Sequence, residues 1–228
     1  MIRLLIPILL CCFLSTANAE DFEALFNGQT LDGWHSVEDG IWRVEDGMIM
    51  GGSLNKMIEH NTFLVTDESY QNFELLLSFR LLGTEGFVNS GFQVRSIGVP
   101  GHGDMSGYQV DAGDGWWGKL YDESRRNTVI AESSDMAAVN KAVKRGEWND
   151  YRILCEGRRI RSWVNGIPAL DYTEMDQTIP QDGHIGIQAH GDGVTLIQIK
   201  AAYIKKLPDT PHLPKWSDVD LQSVIRLN

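Results

Sequence analysis

Apolar and polar residues alternate along most of the chain with a period of two, the pattern of half-buried strands. Phe73, Leu75, Leu77, Phe79 and Leu81 are separated by Glu74, Ser78 and Arg80, which predicts one long strand. Ile41-Trp42-Arg43-Val44 and Met48-Ile49-Met50 flank Glu45-Asp46-Gly47 and predict a hairpin with Asp-Gly at its turn. Similar runs cover Gly91 to Ser96, Gly107 to Ala112, Lys119 to Glu123, Trp148 to Cys155 and Ile160 to Val164. Asn165-Gly166 marks a further hairpin turn, and the last strands are predicted at His184 to His190 and Val194 to Leu207. Helical signals are few: Ser134 as the cap of a short helix through Asp135 to Val143, and a second short helix over Asp218 to Ile225. About a dozen short strands at roughly ten-residue spacing predict an all-β sandwich of two antiparallel sheets rather than a closed barrel. No repeat or linker divides the chain, and Pro208 to Pro214 reads as an exit from the core.

The first nineteen residues stand apart from that pattern. Arg3, an apolar run from Leu4 to Leu14 and Ala17-Asn18-Ala19 form a leader with a small-residue cleavage site after Ala19. The run is too short to span a bilayer. Leu10 before Cys11 argues against a lipid-modified cysteine, because that modification needs a small residue there. The expected layout is therefore a signal peptide at 1–19, a β-sandwich domain at 20–210 and a tail at 211–228, in a periplasmic or secreted protein. Removal of the leader leaves Cys155 as the only cysteine, so no internal disulfide can form. Its place in the alternation Tyr151, Ile153, Cys155 predicts a small buried hydrophobe rather than a nucleophile.

Composition narrows the function. With 31 acidic against 20 basic residues, a net charge of −11 argues against nucleic acid as a partner, since phosphate binding needs a basic surface. Alternation also sorts polar residues onto faces. Gln93 and Arg95 oppose Phe92 and Val94; Gln109 and Asp111 oppose Tyr108 and Val110. Lys119, Tyr121 and Glu123 share a face, as do His184, Gln188 and His190. If these strands are neighbours, their polar faces form a groove of amides, carboxylates and imidazole. Trp116, Trp117 and Tyr121 add stacking planes, a combination suited to a sugar. Trp116 and Trp117 follow Gly113-Asp114-Gly115 and are expected in a loop at the groove rim, whereas Trp42, Trp148 and Trp163 are expected to be structural. Arg125-Arg126 reads as a solvated charge run. There is no phosphate loop, H-E-x-x-H, C-x-x-C after the leader or G-x-S-x-G.

Phe26-Asn27-Gly28 through Leu31-Asp32-Gly33-Trp34 resembles the opening of the bacterial 3-keto-disaccharide hydrolase family. Matches follow in order at Trp42 to Gly47, Phe73-Glu74-Leu75, Asn89 to Arg95, Gly107 to Asp111, Gly118 to Tyr121, Glu147-Trp148-Asn149, Trp163 to Gly166 and Gly183 to His190. The resemblance spans about 22 to 207 and implies a concanavalin-A-like jelly roll. It also implies an enzyme acting on a glycoside or disaccharide whose C3 is a ketone, cleaved by general acid–base hydrolysis or by elimination and hydration. Many members carry Glu where Gln109 stands, and 116–126 looks like a subgroup variant. No match to the Glu-x-Asp-x-x-Glu of laminarinase-type relatives is present. Such chemistry asks for a base near C2, an electrophile at the C3 oxygen and an acid near the leaving oxygen. Asp111, Glu123 and His190 are the candidate catalytic residues. Asn89, Arg95, Gln109, Trp116, Trp117, Tyr121 and Gln188 are the candidate substrate-binding residues, with Arg95 or a bound cation at the enolate. No cofactor is required by the sequence, although a divalent cation fits such a scheme. The alternative is a lectin-like module without turnover, which would need amides and aromatics but not three converging acid–base groups.

Overall fold

The computed structural model describes residues 21–36 and 38–227. The leader expected at 1–19 lies outside the described residues. Fifteen strands are present among them. In chain order these are β1 (Glu23–Ala24), β2 (Trp34–His35), β3 (Trp42–Glu45), β4 (Met48–Gly52), β5 (Thr62–Thr66), β6 (Phe73–Gly86), β7 (Asn89–Gly98) and β8 (Met105–Gly113). There follow β9 (Leu120–Glu123), β10 (Val129–Ala131), β11 (Asn149–Glu156), β12 (Arg159–Val164), β13 (Ile167–Thr173), β14 (His184–Ala189) and β15 (Gly193–Lys206). One sheet runs β13-β12-β11-β6-β15-β4-β3, with β1 also paired to β15; the other runs β10-β9-β8-β7-β14-β5-β2. Each strand pairing is antiparallel. The all-β expectation holds, and the Asp46-Gly47 turn joins β3 to β4 with both residues at positive φ, as a tight hairpin turn requires.

The alternating apolar positions meet between the sheets. Phe79 of β6 packs edge-on against Phe92 of β7, with centroids 4.8 Å apart, and against Tyr151 of β11 at 4.9 Å. Tyr108, Val110 and Ala112 of β8 and Ile185, Ile187 and Ala189 of β14 complete this layer, all fully buried. Cys155 belongs to the same core, and burial pushes its thiol up to about 11, so it is inert. Trp42 is buried as expected, while Trp148 and Trp163 are half-buried under cationic side chains.

Several local expectations change. The first helix, α1 (Met136–Ala142), is capped by Asp135 rather than Ser134; the Asp135 side chain accepts from the Ala138 amide at 2.9 Å. The second, α2 (Leu221–Val224), is shorter than predicted and follows a 3₁₀ turn at Trp216–Asp218. Trp216 of that turn is buried, and its indole donates to the Arg95 carbonyl at 3.0 Å. Arg125 and Arg126 are not a solvated pair, because both ion-pair with the buried Asp122. Strand β5 was not foreseen; its five residues Thr-Phe-Leu-Val-Thr are all buried, so they show no alternation to read.

Candidate functional site

Four neighbouring strands, β9, β8, β7 and β14, carry polar residues on the face turned away from the core. Gln109 lies opposite Gln93 on one side and Tyr121 on the other, while Asp111 lies opposite Gly91. Glycine at 91 leaves the space that the Gln109 side chain occupies. Asn61, Phe87, Asn89, Gln109, Asp111, Trp116, Tyr121, Glu123 and His190 together line one cavity of about 230 Å³. That is below the ~300–1,000 Å³ of most ligand pockets and suits one sugar ring rather than a long chain.

The rings form an arc along this cavity. Phe87 meets His190 edge-on at 4.7 Å and Trp116 at 6.2 Å, and Trp116 meets Tyr121 at 6.1 Å. Phe87 is 39% exposed, which leaves part of its ring open to solvent. The floor is polar and tightly bonded. Gln109 Nε2 donates to Asp111 Oδ1 at 2.8 Å and to Gln188 Oε1 at 3.3 Å, and Gln93 Nε2 donates to Gln109 Oε1 at 3.0 Å. Gln188, fully buried at the floor's edge, does not line the cavity; its Oε1 accepts from Gln109.

The titratable groups are pushed toward neutrality. Burial raises the Asp111 carboxyl well above the usual carboxylate range; the Gln109 hydrogen bond opposes the rise and the Glu123 charge adds to it. Burial, with the Asp104 charge, raises Glu123 to about 7. Burial lowers His190 from the ordinary imidazole value. The His190 Nδ1 lies 2.7 Å from the Gly191 carbonyl. A carbonyl can only accept, so the neutral ring carries its proton on Nδ1 and its lone pair on Nε2. Among the described residues, no Lys or Arg lines the cavity. Among the described residues, no three His, Cys, Asp or Glu side chains converge as a metal-holding group.

Two expected site residues lie elsewhere. Arg95 is fully buried and donates to the Gln71 carbonyl at 2.6 Å, the Gly157 carbonyl at 2.8 Å, Asn72 Oδ1 at 2.9 Å and Gln181 Oε1 at 2.9 Å. Its φ of 54° marks a bulge in β7, where the register with β8 shifts between Val94 and Ile97. One extra residue reverses the faces beyond it, which sends Arg95 away from the groove and leaves no guanidinium for an enolate. Trp117 is also corrected. It is 3% exposed and stacks on Phe79 in the core, with centroids 6.3 Å apart. The turn that bonds the Trp116 and Trp117 amides to the Gly113 carbonyl turns the two rings opposite ways, so that only Trp116 reaches the cavity.

Asn61 and Phe87 were missed. Asn61 sits in a loop without a motif and accepts from the Gly191 amide at 3.0 Å, which ties that loop to the end of β14. Phe87 had a readable signal, an aromatic at a hairpin tip between Gly86 and Asn89.

A family described as the 3-keto-alpha-glucoside-1,2-lyase-like domain matches residues 21–205. No curated protein matches the chain. A solved protein of Parabacteroides distasonis, described as a "putative glycosyl hydrolase", is 24% identical over 82% of this chain and 99% of its own, with a TM-score of 0.59. The carbohydrate-binding module CBM66 of Bacillus subtilis is 17% identical over 74% of this chain and 93% of its own, with a TM-score of 0.52. A prokaryotic β-1,3-1,4-glucanase from a mouse hindgut metagenome is 12% identical over 82% and 98%, with a TM-score of 0.51. At these identities the likeness is one of fold: the jelly-roll sandwich.

Proposed function

The chain belongs to the 3-keto-alpha-glucoside-1,2-lyase-like family, and from that premise we propose that it is an exported enzyme cleaving glycosides oxidised to a ketone at C3. The observation that carries this reading is the convergence of Asp111, Glu123 and His190, all desolvated and without a basic partner, in one ring-sized cavity. A base near its operating pH and a neutral acid are what proton abstraction beside a carbonyl requires.

In this scheme the sugar ring enters against the arc of Phe87, Trp116 and Tyr121, with Asn61 and Asn89 supplying amides to its hydroxyls. The ketone acidifies the C2 proton, and Glu123 or His190 removes it. The electron pair passes to the C3 oxygen as an enolate, which accepts a hydrogen bond from a neutral donor. The enolate then collapses, the C1–O bond breaks with its electrons on the leaving oxygen, and that oxygen takes a proton. Water added across C1 and C2 completes net hydrolysis. Arg95 has no part in the scheme.

A lectin-like reading is supported by the CBM66 likeness and the aromatic arc. It does not account for two buried carboxyls with raised pKa beside an imidazole, because binding alone needs no proton-transfer groups. Incubation with a panel of 3-keto-disaccharides and their unoxidised parents, followed by mass, separates the readings. Cleavage confined to the keto forms is expected. Binding of either set without any cleavage would leave a binding module.

A further inference from the structure

The floor of the cavity holds a chain of hydrogen bonds with one direction. The Ser96 hydroxyl donates to Gln93 Oε1 at 2.5 Å, the shortest of its three contacts; the Val94 and Tyr108 carbonyls lie at 3.1 and 3.4 Å. Gln93 Nε2 then donates to Gln109 Oε1, and Gln109 Nε2 to Asp111 Oδ1. Each amide has its carbonyl occupied upstream, so each must present its NH₂ downstream. The slot is built for this chain. Gly107, at φ 145°, leaves room for Ser96, since a Cβ there would fall 2.3 Å from Ser96 Oγ, and a Cβ at Gly91 would fall 2.5 Å from the Gln109 amide carbon.

The chain ends on a carboxyl with one oxygen occupied. Asp111 Oδ2 is buried and has no hydrogen-bond partner among the described residues. A carboxylate there would be a buried charge with Gln109 as its single side-chain donor among the described residues. We infer that Gln109 is a positioning residue: by donating to Oδ1 it leaves the proton of the buried, neutral Asp111 on Oδ2, so that Asp111 is the cavity's acid and Glu123 and His190 are the bases. This deepens the acid–base reading above and rests on it for the word acid, though not for the proton's location. Glu123, from β9, adds negative charge that favours the proton; the charge of Lys119, before β9, opposes it, although that ammonium is paired with Glu132 at 3.1 Å. Tyr151, from the opposite sheet, donates to the Asp111 backbone carbonyl at 2.8 Å rather than to its side chain. His190 is neutral, since burial lowers it. Gln109, the one donor to the charged form, restrains the rise in the Asp111 carboxyl and keeps its proton transferable.

The test is carboxyl ¹³C NMR of the whole protein labelled at aspartate, with Asp111 assigned by its loss in Asp111→Asn. A protonated Asp111 signal at pH 7 is expected, titrating above the ordinary range. Gln109→Met removes the donor and should raise the midpoint by about one to two pH units, the weight of a hydrogen bond to a charged group. Gln109→Glu, of nearly the same shape, covers the case in which Met is not accommodated; it should make the titration two-step. An Asp111 signal titrating near 4, or a midpoint indifferent to both variants, overturns the inference. On any 3-keto-glycoside that is turned over, the alkaline limb of the rate profile should move with the midpoint in Gln109→Met. A limb that stays put removes Asp111 as the acid. Failure to cleave any 3-keto-glycoside sinks the preceding function and leaves the titration to decide the proton.

Discussion

Glu123→Gln separates the cost of the site from its use. In the unfolded chain Glu123 titrates at its ordinary 4.5, whereas in the fold burial and the Asp104 charge raise it to about 7. A raised carboxyl contributes stability that is fully present below 4.5 and lost as pH climbs through 7. The rise of about two and a half pH units, at ~1.4 kcal/mol each, makes that loss ~3 kcal/mol by pH 8. Glutamine cannot ionise, keeps the shape and escapes the loss. The variant should match wild type near pH 4.5 and be ~3 kcal/mol more stable at pH 8, a rise of roughly 6–12 °C in Tm for a domain of this size. Urea unfolding from pH 4.5 to 8.5 on both proteins reads the gap directly. A gap that does not change with pH would show that Glu123 is not held in its neutral form, and greater wild-type stability at pH 8 would reverse the sign of the argument. The same variant should lose turnover by on the order of 10²–10⁴, the stability–activity exchange expected of a desolvated acid–base group.

The two adjacent tryptophans should part company: Trp117→Ala should cost ~3–5 kcal/mol as a core truncation, while Trp116→Ala should weaken sugar binding by titration calorimetry with little change in Tm. Arg95→Met strands four acceptors and should destabilise by ~3 kcal/mol or more in urea, with the sugar affinity of the folded fraction unchanged; a selective loss of affinity would return Arg95 to the site. His190→Ala should slow cleavage by about 10²–10⁴. Because burial lowers its pKa, wild-type activity carried by neutral His190 should fall only below the ordinary imidazole range, and an acidic limb set above that range would contradict its placement.

Much of the site was legible because period-two alternation is a rigid rule wherever a strand is regular. On β8 and β9 it placed Gln109, Asp111, Tyr121 and Glu123 on one face, and the cavity holds all four. It failed on β7, where one residue at positive φ reversed the faces beyond Val94. Arg95 went to a cage of carbonyl and amide acceptors, and Ser96, given no role in the sequence, took the groove side against Gln93. A bulge is a backbone event without a composition signature, so parity cannot report it. Trp116 and Trp117 failed for a related reason: neighbours in a tight turn need not share a side, and only packing on Phe79 decides which is buried.

Strand order was the other hidden variable. Alternation gave four separate polar faces, but a contiguous floor exists only because β14, remote in sequence, pairs between β7 and β5. That pairing brings Gln188 to Gln109 and His190 to the cavity rim. Once the faces join, their composition has a chemical consequence. A floor of carboxylates would hold its protons by mutual repulsion, with none assigned to one atom. Here Gln93, Gln109 and Gln188 replace charge with directed donors and acceptors, and only Asp111 and Glu123 remain to share the cost of desolvation. Their environments differ, one bonded by Gln109 and deeply buried, the other nearer Asp104. Two carboxyls in unlike surroundings can hold opposite protonation states at one pH, and such a pair can give and take protons in the same turnover.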